Sequence, residues 1–237
     1  MRTQGIVIAI DGPVGTGKST VARRVAERLG YLYVDSGSMY RVVACCAEEQ
    51  GIAPSDVSRL VAMVRRLRIH LEPAPAGVRV SVNGRELTEK IRAPGISQAA
   101  SVVSTVPEVR RLLVAQQQQL GAAGGVVMEG RDIATVVFPD AELKFFLDAS
   151  SEVRAQRRFE QQQALGIPAS LEQTREEVHQ RDRRDAEREA SPLRRASDAV
   201  YLDTTALSAD EIVEVIVRLA RQRQESAPGA SVRQEPR

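Results

Sequence analysis

Residues 6–19 read IVIAIDGPVGTGKS, and this stretch decides the fold. Its first five residues form an unbroken apolar run, typical of a strand buried on both faces of a parallel sheet. Residues 12–19 match the pattern G-x-x-x-x-G-K-[ST], and apolar residues follow at helical spacing until Gly30. A chance match would lack this order of strand, glycine-rich loop and helix. The stretch therefore predicts a P-loop in an α/β fold.

Each part of the predicted P-loop has a role in binding phosphate. Glycines allow backbone N–H groups to point inward, and the helix N-terminus adds partial positive charge. We expect Lys18 to face solvent and phosphate and to be catalytic by reaching the β- and γ-phosphates, and we expect the Ser19 hydroxyl to bind Mg²⁺. ATP and Mg²⁺ are thus the expected donor and cofactor. The expected ATP-binding residues are Gly12, Pro13, Val14, Gly15, Thr16, Gly17, Lys18, Ser19 and Thr20.

The same alternation of strand and helix continues along most of the chain. It predicts a three-layer α/β sandwich with a five-stranded parallel sheet. The further strand candidates are residues 31–35, 126–128, 143–147 and 200–202. The clearest helical patterns are residues 19–29, 38–49, 107–120, 172–188 and 209–223.

The middle of the chain has a different pattern. Polarity alternates in residues 68–71 and 78–82, and Asn83-Gly84 is a strong hairpin signal. We expect a small antiparallel insert, about 61–103, in one domain spanning 1–223. The core would be 1–60 and 104–223, with a lid at about 165–192. Residues 224–237 contain almost no apolar residue, which predicts a disordered tail.

Composition narrows the class of protein. The 237 residues carry a net charge of +2 and are only 3% aromatic, which argues against binding nucleic acid. Cys45 and Cys46 are the only cysteines, which fits a reducing compartment. No apolar run reaches the length needed to span a membrane. We expect a cytoplasmic protein away from membranes, and a monomer, since no apolar stripe is left over.

Polar residues follow two of the predicted strands, at the edge of the sheet where ligands gather. One group is Asp35-Ser36-Gly37-Ser38-Met39-Tyr40-Arg41, and the other is Glu129-Gly130-Arg131-Asp132. Arg41, expected in the first turn of a helix, would oppose the helix dipole unless a phosphate pairs with it; a surface salt bridge is the alternative. Arg131 and Asp132 could hold substrate or pair with each other, and Glu129 could orient Mg²⁺-bound water.

Residues 181–188, RDRRDAER, are the densest run of charge. Arg181, Arg184, Asp185 and Arg188 have the spacing of one helix face. They could be a solvated face with internal pairs such as Arg181–Asp185. They could also belong to a lid whose arginines neutralise charge during phosphoryl transfer. The run alone leaves both interpretations open.

These segments together resemble the bacterial cytidylate kinase family of P-loop nucleoside monophosphate kinases. The specific matches are residues 129–133 (EGRDI), residues 135–141 (TVVFPDA) and the arginine-rich run with Pro192-Leu193. The resemblance implies a transferase of pyrimidine metabolism that moves the γ-phosphoryl of ATP to CMP or dCMP. It implies acceptor binding by Ser36, Arg41, Arg131 and Arg188, cytosine reading by Ser101, Arg110 and Asp132, sugar contacts by Arg181 and Asp185, and a catalytic Arg184 at the transferring group.

Three positions depart from the family pattern, among them Ser191, which precedes Pro192 where alanine is common. Ala134 stands where glycine is usual, and Glu129 replaces an aspartate of many members.

Other functions stay open from the residues alone: a kinase for AMP, dTMP or shikimate, or an ATPase stimulated by nucleic acid. His70 and His179 form no ligand cluster in the sequence, so we expect no metal bound through histidine.

Overall fold

The computed structural model describes residues 2–74, 77–93 and 95–226. The first half of the chain runs β1 (Val7–Asp11), α1 (Lys18–Leu29), β2 (Leu32–Asp35), α2 (Ser36–Glu49), α3 (Val57–Val64), β3 (Ile69–Ala74), β4 (Gly77–Val82), β5 (Arg85–Glu86), a 3₁₀ turn (Lys90–Arg92), α4 (Ile96–Val103) and α5 (Pro107–Gly121). The second half runs β6 (Val126–Gly130), a π-helical turn (Ile133–Val137), β7 (Leu143–Asp148), α6 (Ser151–Ala164), α7 (Leu171–Glu187), β8 (Val200–Asp203) and α8 (Ala209–Glu225).

The main sheet confirms the predicted parallel architecture. Its five strands lie in the order β2-β6-β1-β7-β8, and every pair is parallel. All five residues of β1 are buried, as a central strand covered on both faces requires. One apolar layer joins the sheet to α1 and α8, and the other joins it to α2, α4 and α5. The three-layer sandwich is therefore present.

The predicted antiparallel piece is also present. β3, β4 and β5 form a separate three-stranded antiparallel sheet. Asn83 and Gly84 make the turn with φ of 50° and 80°, the left-handed backbone that a tight hairpin needs. Leu87 and Ile91, which follow the antiparallel sheet, are buried in the same apolar core layer as residues of α2. The division into core, insert and lid stays a prediction.

Two of the predicted boundaries that were wrong concern the site and the expected tail. Helix α2 begins at Ser36 because the Asp35 carboxylate caps it, accepting from the Ser38 N–H at 3.1 Å. Arg41 consequently lies in the second turn, not the first. Helix α8 continues to Glu225, so its last two residues are not part of a disordered tail. The rest of the expected tail, residues 227–237, lies outside the described residues.

Among the described residues, no helix has both the length and the apolar character needed to cross a membrane.

Candidate active site

A cavity of about 730 Å³ lies over the carboxyl ends of β1, β2 and β6. Residues 14–20 of the P-loop line it, as do all nine predicted substrate-binding residues: Ser36, Arg41, Ser101, Arg110, Arg131, Asp132, Arg181, Asp185 and Arg188. The predicted donor and acceptor residues therefore share one cleft. Gly12 and Pro13 do not line it. Gly12 instead passes so close to β7 that an added Cβ would lie 2.0 Å from the Leu147 carbonyl oxygen.

The P-loop is held in shape by two residues that were not predicted. Arg154 on α6 donates to the Val14 carbonyl at 3.3 Å, and Thr204 after β8 donates to the Thr16 carbonyl at 3.2 Å. Gly15 has a φ of 81°, and a Cβ added to it would lie 2.4 Å from the Arg154 carbonyl oxygen. Only glycine therefore fits at this position. The backbone of the loop that precedes α1 is thus held in place by hydrogen bonds from α6 and from the residue after β8.

Lys18 is buried inside the loop, contrary to the expectation that it faces solvent. Its Nζ donates to the Pro13 carbonyl at 2.6 Å and to the Thr16 hydroxyl at 3.3 Å. The loop wraps around the ammonium because the Pro13 carbonyl and the Thr16 hydroxyl supply the partners that a buried cation needs. Burial and the nearby Arg131 lower the pKa of Lys18 to about 7. A phosphate beside it would counter both effects.

Ser19 lies where a cation could bind. Its hydroxyl donates to Glu129 Oε1 at 2.5 Å, which joins α1 to the end of β6. Burial and the neighbouring Asp35 raise the pKa of Glu129. A hydroxyl and a carboxylate are oxygen ligands of the kind that Mg²⁺ takes together with substrate phosphates and water. The residues present therefore fit Mg²⁺, while the described part of the chain has no cluster of three or more His, Cys, Asp or Glu side chains for a metal.

The far end of the cavity is a buried set of charges. Arg110 pairs with Asp132, and the Arg188 guanidinium approaches the same carboxylate to 3.9 Å. Arg188 Nε donates to the Ser191 carbonyl at 2.6 Å, and Ser191 has a φ of 54°, which is uncommon for a residue other than glycine. Arg110 also lies over the Tyr40 ring at 5.3 Å, so this end offers planar cations beside an aromatic face.

Arg131 and Asp132 point to different partners and do not pair with each other. Arg131 Nε donates to Asp185 at 2.8 Å, which links the end of β6 to α7. Asp185 therefore pairs with Arg131, and not with Arg181 as the interpretation of a solvated helix face implies. Burial works against ionisation of Asp185, but Arg131 and its other arginine neighbours outweigh it and lower the pKa of this carboxyl.

Arg41 forms a similar but only partly buried pair with Asp35 at 2.5 Å and also donates to the Ser38 hydroxyl. Ser36 donates to the Glu129 carbonyl at 2.7 Å. Burial opposes ionisation of Asp35, yet Arg41 and Ser38 outweigh it and hold its pKa low. The sequence motif after β2 is therefore a preassembled corner beside the cavity, and not a solvent-exposed salt bridge.

Arg184 contacts helix α4. Its guanidinium donates to Ser101 at 3.2 Å and to Gln98 at 3.1 Å, both on α4, and it does not line the cavity. Of the four charged residues expected on one face of α7, the other three do line it. A catalytic contact by Arg184 therefore stays a prediction, and in this structure the residue joins α7 to α4.

Several buried donors around the cavity have no hydrogen-bond partner among the described residues. They are the Tyr40 hydroxyl, Nε of Arg41, Arg110 and Arg181, and Nη2 of Arg188. Burial and the repulsion of Arg131 lower the pKa of Arg181 to about 10. Because buried polar groups in proteins are nearly always paired, these donors mark a surface built for an anionic or polar ligand.

Residues on α6 were missed by sequence reasoning. Arg157 and Arg158 line the cavity, and Arg157 bonds the Thr204 carbonyl at 2.7 Å. Helix α6 follows the carboxyl end of β7, and the motifs after β2 and β6 likewise follow the carboxyl ends of parallel strands. Applying that rule to every predicted strand would have found them.

The sequence model of the cytidylate kinase family matches residues 8–222. The chain belongs to the cytidylate kinase family. It is 50% identical over 218 residues to the cytidylate kinase of Geobacillus kaustophilus strain HTA426, covering 92% of this chain and 97% of that one. It is 44% identical over 227 residues to the enzyme of Geobacter sulfurreducens, covering 96% and 97%. Membership in the cytidylate kinase family makes the chain a nucleoside monophosphate kinase, as the resemblance of its motifs implied.

A solved gluconokinase from Sinorhizobium meliloti 1021 is also similar, with 17% identity and a TM-score of 0.47 over 95% of this chain and 96% of that one. This likeness is too low to say anything about the site.

Proposed function

We propose that this protein transfers the γ-phosphoryl group of ATP to CMP and dCMP by direct in-line displacement, with Mg²⁺ as the cofactor. The observation that carries the proposal is that one cavity is lined by the P-loop at one end and by Arg110, Asp132 and Arg188 at the other. Two nucleotides bound head to head in such a cleft would bring their phosphates together between Lys18 and Arg131.

The residues suit a reaction that needs positioning and charge neutralisation. An acceptor phosphate is already an anionic nucleophile, so no side chain has to remove a proton. Lys18, Arg41, Arg131 and Arg181 surround the region between the two ends and can stabilise charge on the phosphoryl oxygens. Mg²⁺, when bound near Ser19 and Glu129, neutralises charge on the β- and γ-phosphates.

The acceptor end suits a cytosine base. The Arg110–Asp132 pair presents a fixed donor and a fixed acceptor, and Ser101 adds a buried hydroxyl. A site with preset polar groups rejects a base that cannot match them, because the groups would be left buried and unpaired. We assign cytosine reading to these three residues, phosphate binding to Ser36, Arg41, Arg131 and Arg188, and sugar contacts to Arg181 and Asp185.

A substrate panel tests the proposal. ADP release is measured with ATP and Mg²⁺ and with CMP, dCMP, UMP, AMP or dTMP as acceptor. We expect CMP and dCMP to give the highest kcat/KM and chelation of Mg²⁺ to abolish turnover. Equal rates across the panel would overturn the acceptor assignment. Inversion of configuration at a chiral thiophosphoryl group is expected for direct transfer, and retention would contradict it.

A further inference from the structure

Tyr33 contacts the carboxylate that lies next to the predicted Mg²⁺ ligand. Its hydroxyl donates to Glu129 Oε1 at 3.2 Å. The Ser19 hydroxyl donates to the same oxygen at 2.5 Å. Both hydrogen bonds therefore fall on one carboxylate oxygen. The other carboxylate oxygen of Glu129, Oε2, accepts no hydrogen bond from the described residues. The Glu129 side chain lines the cavity.

The sheet places these groups together. β2 and β6 are parallel, with Tyr33 opposite Val127 and Asp35 opposite Glu129. Side chains two residues apart on a strand share a face, so Tyr33 and Glu129 are diagonal neighbours on one side of the sheet. Ser19, in the first turn of α1, reaches that same side. Three different elements thus meet at one carboxylate.

Other charges compete for this carboxylate. Lys18 and Arg131 both attract Glu129 electrostatically. A glutamate has three side-chain torsions, so a carboxylate held only by the Ser19 hydroxyl could rotate toward either cation. A second hydrogen bond from the rigid ring of Tyr33 restricts that rotation. When a residue that hydrogen-bonds to a metal ligand, or to a residue that binds metal-bound water, is removed, the affinity for the metal typically falls.

We propose that Tyr33 is a positioning residue that fixes the Glu129 carboxylate so that Oε2 faces the hydrated Mg²⁺ of the Mg²⁺–ATP complex. The inference rests on the proposed function, since it concerns the cofactor of that reaction. It differs from the ordinary interpretation that a half-buried tyrosine merely satisfies its own hydroxyl.

Tyr31 provides a matched control. It lies two residues earlier, and its hydroxyl also has buried partners, accepting from the Ile6 N–H at 3.2 Å and bonding Gln224. Neither Tyr31 nor Tyr33 lines the cavity. Tyr31→Phe and Tyr33→Phe therefore remove the same group from neighbouring positions, and only one of them touches Glu129.

The test titrates Mg²⁺ against binding of a fluorescent ATP analogue, with no acceptor and no turnover. We expect Tyr33→Phe to raise the half-saturating Mg²⁺ concentration by about tenfold. Tyr31→Phe should leave it unchanged, and both variants should keep the wild-type KM for CMP. Thermal unfolding without Mg²⁺ shows whether either variant is merely less stable.

A double mutant separates positioning from general damage. If Tyr33 acts through Glu129, Tyr33→Phe should add no further shift to that of Glu129→Gln. The proposal is overturned if Tyr33→Phe moves the Mg²⁺ midpoint no more than Tyr31→Phe, or moves it equally in the Glu129→Gln background. Wild-type ATP binding that ignores Mg²⁺ would contradict the proposed cofactor itself, a result distinct from a failure of Tyr33 alone.

Discussion

Arg131 and Asp185 form an ion pair of 2.8 Å that joins the end of β6 to helix α7. Both side chains are mostly buried, with relative exposures of 16% and 6%. Removing one member of such a pair leaves the other charge buried without compensation. The pair therefore does two things: it fixes α7 over the cavity and it holds Arg131 beside the P-loop.

We expect Asp185→Ala to lower the free energy of unfolding by about 3 kcal/mol, because Arg131 loses its partner. The KM for CMP should rise as well, since Asp185 lines the cavity and is a proposed contact of the acceptor sugar. Urea unfolding and steady-state kinetics measure the two effects. The control is Asp210→Ala, which breaks the exposed Arg24–Asp210 pair and should change stability by less than about 1 kcal/mol. Equal effects of the two variants would contradict this role.

Arg188 should act on the acceptor alone. Its guanidinium is buried next to Asp132, and its Nη2 has no hydrogen-bond partner in the described part of the chain. A charge-assisted hydrogen bond is worth about 1.5–3 kcal/mol, so we expect Arg188→Ala to raise the KM for CMP roughly 10- to 100-fold. The KM for ATP should change little. Arg194→Ala, at an exposed position of the following segment, is the control. An unchanged KM for CMP would remove Arg188 from the site.

Lys18→Ala should slow transfer by about 100- to 1,000-fold, because the variant lacks the ammonium that neutralises transferring charge. Since Lys18 is buried and bonds Pro13, we also expect a stability loss of about 1–2 kcal/mol. Lys144→Ala is a close control, as its buried Nζ bonds the Pro139 carbonyl at 2.5 Å outside the cavity. It should lose stability and keep its rate; a slow Lys144→Ala enzyme would show that loss of stability explains both variants.

The strands, the P-loop and the hairpin could be predicted because each depends on residues close in sequence. The apolar run before Gly12 and the Asn83-Gly84 turn need no distant partner to be recognised. The cap that begins α2 at Ser36 is also local, and Asp35 could have been identified as its N-cap residue.

The pairing of charges could not be predicted in the same way. Adjacent Arg131 and Asp132 have partners 54 and 22 residues away along the chain, Asp185 and Arg110. Which arginine meets which carboxylate depends on how α5 and α7 pack against the end of β6, and spacing within a helix does not contain that information. The burial of Lys18 depends likewise on the path of the loop backbone and not on the G-x-x-x-x-G-K-[ST] pattern.

Asp11, the last residue of β1, gives a prediction about pH. Its carboxylate accepts from the Ile133 and Ala134 N–H groups at 2.9 and 2.8 Å. Burial raises its pKa from 3.8 to about 7, although the two backbone N–H groups act in the opposite direction. The folded protein therefore keeps a proton on this carboxyl that the unfolded chain releases near pH 4. The stability from this group is greatest below that pH and is lost as pH rises through about 7.

Comparison with Asp11→Asn isolates this effect from other titrating groups. The variant cannot titrate at position 11, and its amide can accept from only one of the two N–H groups, so it should be less stable at every pH. The stability advantage of the wild type over the variant should shrink by about 1–3 kcal/mol between pH 5 and pH 8. Urea unfolding at several pH values measures it. A constant difference would mean that Asp11 is ionised throughout this range, because its two N–H partners stabilise the charge more than burial disfavours it.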